Sequence, residues 1–160
     1  MSSQGVLLVS SQKIKAFTNV NENLDEQLLL PNIQISQDIG LQTLLGTQFY
    51  DHILLAAQGS TLTTAETTLL EDYIAPYLLW SSVYECLPDI YLRMMNKSIS
   101  VGESPNAKAI DKGDLSYLRN IHRDRKEFYA ARMMDYIRPR NGDYPLYFQF
   151  NANQGGMPSK

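Results

Sequence analysis

The sequence predicts an all-α fold: a small bundle of four to five helices with an N-terminal arm and an extended C-terminal tail. Three observations carry that expectation. Leu69, Tyr73, Tyr77, Trp80, Tyr84, Leu87 and Tyr91 recur at spacings of three and four, the stripe of one helical face. Leu115, Leu118, His122, Tyr129, Met133 and Tyr136 form a second such stripe, with Ile121 and Phe128 alongside. Gly46, Gly59 with Ser60, the Ser/Gly/Pro/Asn stretch of 98–109 and Pro139 mark where helices should stop. At 160 residues the chain is one domain with room for a core.

Residues 1–23 show no sustained period. Lys13, Ile14, Ala16 and Phe17 suffice for one short turn or strand, so the stretch reads as an arm. The helical domain spans 24–140. Asn23 with Glu26 resembles a helix start, and Pro31 blurs that boundary. Leu28, Ile35 and Ile39 then lie along one helical side, and Leu30, Ile33, Leu41 and Leu44 along another. Two stripes mean two packing partners, both within the core or one of them a neighbouring subunit. Gly46 ends this helix and Thr47 can cap the next, which carries Phe49, Tyr50, Ile53, Leu54 and Ala57.

Thr63 and Glu66 spell a capping box, so a helix should start near Thr64 and run to about residue 95. Ile74, Leu78, Leu79 and Val83 lie off its main stripe, and a helix apolar nearly all round must be enclosed. Pro76 and Pro88 should kink or break it. Cys86, the single cysteine, sits on this helix and reads as a small core residue. A last long helix should cover residues 112–138, capped by Asp111 or Asp114 and stopped by Pro139.

The net charge of -3 is unevenly spread. Residues 1–110 hold five Lys/Arg against eleven Asp/Glu, while 111–160 hold nine against six. An acidic protein with one mildly basic helix is a poor candidate for tight DNA binding. The alternative of a helical DNA-binding or packaging accessory would use Lys112, Arg119, Arg123 and Lys126. No apolar run approaches the roughly 20 residues of a membrane span. The apolar run Gly5–Val9 lacks the basic residues of a signal peptide, so a soluble chain in a reducing compartment is expected.

Catalytic inventory is thin, and neither an enzyme nor a cofactor is expected. His52 and His122 lie far apart without companions at metal-ligand spacing, and the nucleophile-elbow, phosphate-loop and dinucleotide motifs are missing. Asp38 with Asp51, or Glu71 with Asp72, reads as solvated helix surface. Arg125 and Arg132 fall between two apolar rows, where stems lie on the core and heads reach water. A sharper alternative buries one of them against Glu85 as an ion pair. Tyr144, Leu146, Tyr147, Phe148 and Phe150 concentrate four rings in seven residues of the tail segment 141–160. These rings either fold back or dock on another chain.

The run Ile35-Ser-Gln-Asp-Ile-Gly-Leu-Gln-Thr-Leu-Leu-Gly-Thr-Gln-Phe-Tyr-Asp-His-Ile-Leu54 resembles the head-tail connector, or neck adaptor, proteins of tailed bacteriophages. A second block, Tyr73-Ile-Ala-Pro-Tyr-Leu-Leu-Trp-Ser-Ser-Val-Tyr-Glu-Cys-Leu-Pro88 through Met95-Asn-Lys97, is similar to versions in crAss-like and related Bacteroidetes phages. The likeness covers about residues 24 to 140 and its motifs are structural. It implies an all-α virion subunit, made in the host cytoplasm, in a ring of commonly twelve copies that sits beneath the portal protein and continues the DNA channel. DNA would pass without specific binding, and part of the acidic surface would face it. Portal, neighbouring subunits and further neck or tail rings are the implied partners. Family members hold the portal with a C-terminal extension, which Tyr144 to Phe150 matches in position and composition.

Overall fold

Helix starts are set by capping side chains. The computed structural model describes the backbone of residues 5–20, 22–100 and 112–154 and the side chains of 5–20, 22–96 and 112–149. Ser10 accepts from the Lys13 amide at 3.1 Å and opens α1 (Ser11–Phe17). Asp25 accepts from the Gln27 amide at 3.0 Å and opens α2 (Glu26–Ile35), which continues through a π segment (Ser36–Leu41) into α3 (Gln42–Leu45). Gly46, at φ 79°, holds a left-handed turn that a side chain would strain, and α4 (Thr47–Gln58) follows. Thr47 is therefore the first residue of α4 and makes no capping bond.

The capping box forms as predicted. The Thr63 hydroxyl accepts from the Glu66 amide at 3.2 Å, and Glu66 Oε2 accepts from the Thr63 amide at 2.9 Å, opening α5 (Thr64–Leu69). A second π segment (Leu70–Ile74) joins it to α6 (Ala75–Ser100). α7 (Lys112–Ile137) and α8 (Pro145–Gln154) follow. The fold is all-α, and among the described residues two joins through π segments turn eight α segments into six rods. The helix is continuous through Pro31 and Pro88, and the irregularity near Pro76 is the π segment before it. Of the expected 98–109 loop, 98–100 belong to α6 and the rest lies outside the described residues.

α6 is the middle rod. α2 and the first π segment lie on one flank and α7 runs along another. Leu29, Ile33, Gln37, Leu41 and Leu45 are all fully enclosed, each four residues from the next. At 3.6 residues per turn a spacing of four drifts by about 40° per step. The wider π turn winds back part of that drift, so five side chains keep one heading. The same device sets Leu69 and Ile74, five residues apart and both enclosed, onto one core. The stripes expected from a uniform helix are thereby re-phased: Ile33 and Leu41 are enclosed, while Leu30, Ile35 and Ile39 face outward.

Two expectations are corrected. Residues 5–20 of the N-terminal arm are part of the domain, because their apolar side chains find core partners: Val9 and Ile14 are enclosed. The Gln37 amide grips the arm's backbone, accepting from the Leu8 amide at 2.7 Å and donating to the Val6 carbonyl at 2.9 Å. Nor is the described part of the C-terminal tail, residues 141–154, extended. α8 packs on α4, and the enclosed Tyr144 ring lies 5.8 Å from Phe49 and 6.3 Å from Tyr136. Aromatic surface of that size is covered by the nearest apolar wall, here the chain's own.

Gly40 lies where the first π segment meets α6. A Cβ there would fall onto the hydroxyl of Tyr77, whose ring is enclosed and cannot swing away. Gly40→Ala should cost about 1 to 3 kcal/mol by overpacking, read as a lower denaturation midpoint. Adding Tyr77→Phe, which removes the clashing oxygen, should return part of that loss.

Candidate interaction surface

The aromatic stripe that runs from the second π segment into α6 meets α7 through a row of cations. Arg119 and Lys126 each lie 4.6 Å from the Tyr84 ring centre, Arg125 lies 4.7 Å over Trp80 and Arg132 4.8 Å over Tyr73. His122 stacks on Trp80 at 5.9 Å, and Tyr73 stacks on Tyr136 at 3.9 Å. Each cation-ring contact of this exposed kind contributes about 0.5 to 1 kcal/mol. Arg132 has a second task. Pro76 brings no amide to the carbonyl of Asp72 four residues earlier, and Arg132 Nη1 donates to that oxygen at 3.2 Å.

The alternative that pairs Glu85 with Arg125 or Arg132 is not the one formed. Glu85 faces Lys126 at 3.6 Å, and both groups are partly open to water. Arg125 lies about 100° round α7 from Lys126. Its head is carried to Trp80 instead. Among the described residues neither Arg125 nor Arg132 has a carboxylate partner. Of the cations considered for DNA, Arg119 and Lys126 are spent on Tyr84 and Arg123 lies near Asp124 and Glu127, at 3.7 and 3.9 Å. Lys112 is exposed at the start of α7.

The tail residues named for portal binding are drawn inward. Tyr144 donates to the Ala65 carbonyl at 2.9 Å, and burial raises its phenol pKa. Tyr147 is buried 6.4 Å from Phe49, and Leu146 and Phe148 are half-buried against the core. The Phe150 side chain lies outside the described residues. Beside this segment His52 Nε2 meets Glu66 Oε1 at 2.6 Å, at a cavity of about 310 Å³ lined also by Phe49, Thr63 and Tyr144. Burial pushes the Glu66 carboxyl up, but the Thr63 amide and His52 outweigh it and hold the group below its usual range. Both Glu66 oxygens are thus committed to architecture.

Cys86 is enclosed, its thiol pushed up to about 11 by burial. Among the described residues no His/Cys/Asp/Glu cluster could hold a metal ion, and no helix is long and apolar enough to cross a membrane.

Exposed apolar side chains remain on two flanks of α6. On the α2 side Leu30, Ile35 and Ile39 project outward, Ile39 being 69 % exposed. On the α7 side Phe128 is 63 % exposed at a groove of about 380 Å³ shared with Trp80, Asp124, Arg125 and Tyr129. Leu92, Met94, Tyr117 and Leu118 are open where α6 ends and α7 begins. The α7 groove was not foreseen. Its signal was the gap in cations, for no Lys or Arg occurs between Lys15 and Arg93, leaving the aromatics of α6 to be met by α7 alone.

Residues 41–156 match the DUF6712 family, a family of unknown function. The chain belongs to that family. The shared stretch opens at the end of the first π segment and takes in α3 to α8, so the α6–α7 seam and the folded-back tail lie within the DUF6712 region. No curated protein and no solved structure matches the chain.

Two outcomes follow from these contacts. Tyr144→Ala should destabilise the fold by about 3 to 5 kcal/mol and open α8 to protease, whereas Tyr144→Phe, losing one hydrogen bond, should cost about 1 kcal/mol. The second concerns His122, whose pKa lies below the ordinary 6.5 because burial, and then Arg125, disfavour its charged form. The unfolded chain then binds the proton first, so this group's contribution is complete above 6.5 and fades as pH falls below it. Melting temperature should drop as pH falls below about 6.5, and His122→Gln should flatten that drop.

Proposed function

We propose that this protein is a structural virion subunit, one copy of a head-tail connector ring that sits below the portal and continues the DNA channel of a tailed bacteriophage. The observation that carries the reading is apolar surface left open on both flanks of the middle rod, Ile39 on one and Phe128 on the other. A single copy does not cover these patches, and head-to-tail contact between identical copies covers both at once and closes into a ring. The likeness of residues 35–54 and 73–97 to neck adaptors supports the same conclusion. Because Tyr144 and Tyr147 of the tail are consumed internally, the portal contact is assigned to the open end of the α6–α7 pair, Leu92, Met94, Tyr117 and Leu118.

The test is co-expression with the portal protein of the same phage, followed by electron microscopy. A ring of copies, commonly twelve, seated on the portal is the expected image. A chain that neither binds the portal nor joins other copies there would remove the proposal.

A further inference from the structure

Resting on the ring reading, we infer that the Ile35–Asp38–Ile39 face of one copy seats in the Trp80–Arg125–Phe128 groove of the next. The two faces lie on different flanks of α6, so one copy cannot satisfy either with the other. Shape favours the pairing. Ile35 and Ile39 sit one turn apart on the outward side of the rod formed by α2, the first π segment and α3, and the groove of about 380 Å³ offers aromatic walls to receive them.

Charge favours it as well. Asp38 is exposed, and its described partners are neutral: the Gln34 amide at 2.9 Å and the Tyr50 hydroxyl at 2.9 Å. The whole stretch from Ala16 to Leu92 has no Lys or Arg to answer it. Across the molecule, Arg125 is the reverse case, an exposed guanidinium lying on Trp80 with no carboxylate among the described residues. A guanidinium that uses its face on a ring keeps its edge N–H groups for a carboxylate. Asp124 also lines the groove but has Arg123 at 3.7 Å. An acid beside two isoleucines on one copy therefore finds a cation beside Trp80 and Phe128 on the next. The contact is heterologous: each copy supplies one half to each neighbour.

That asymmetry supplies the test. Ile39→Lys spoils one half of the contact and Phe128→Glu the other, both at exposed side chains, with circular dichroism confirming that each variant folds. By analytical ultracentrifugation of the full chain, each variant alone should lose the assembly that wild type forms. An equimolar mixture should regain a two-chain species, since the Ile39→Lys copy keeps its groove and the Phe128→Glu copy keeps its isoleucines. Wild-type assembly that survives either substitution, or a mixture that stays single, overturns the pairing of faces. So does a wild-type chain that stays single from micromolar to millimolar concentration. None of these results decides the connector reading, which stands or falls on the portal experiment.

Discussion

Everything in this fold leans on the seam between α6 and α7. α6 carries a stripe of tyrosines and a tryptophan too broad to be covered by apolar groups alone, and α7 answers with arginines, a lysine and a histidine laid on the rings. The arrangement lets a partly open helix pair hold together where enclosure ends, because a cation over a ring tolerates water in a way that an isoleucine contact does not. It also explains how α7 joins the core while carrying so many charges. Only His122, Met133 and Ile137 are buried along it.

The two π segments are the second constraint. Each lets an apolar spacing incompatible with a uniform α-helix face one partner, and each sits against α6 or leads into it. Gly40 and Tyr77 show how tight the fit is, since a single methyl at the first segment would collide with the hydroxyl. Arg132 shows the cost at the second, where a proline withholds an amide and a side chain from another helix supplies the donor.

Much of the helical plan was legible in the sequence. The Thr63–Glu66 box, Gly46, Gly59 and the span of α7 all follow from local chemistry that acts within four residues. What could not be read are effects with no local signature. A π turn leaves no mark in composition, so Ile35 and Ile39 could be assigned to a stripe but not to the outside. The tail's four rings were recognised as needing cover, yet sequence cannot show that Phe49 and Tyr136 stand waiting for Tyr144. Likewise the choice of Lys126 over Arg125 for Glu85 turns on one residue's rotation about a helix.

Gln37 has a quieter consequence. Its amide, wholly enclosed, reads peptide groups of Val6 and Leu8, one donor and one acceptor, as a neighbouring β-strand would. Such a clasp recognises chain direction and spacing, not side-chain identity. The leading segment is therefore held twice over: the clasp asks only for a peptide amide at position 8, which a proline would lack, while the side chains of Val6 and Leu8 are kept by their packing on the core.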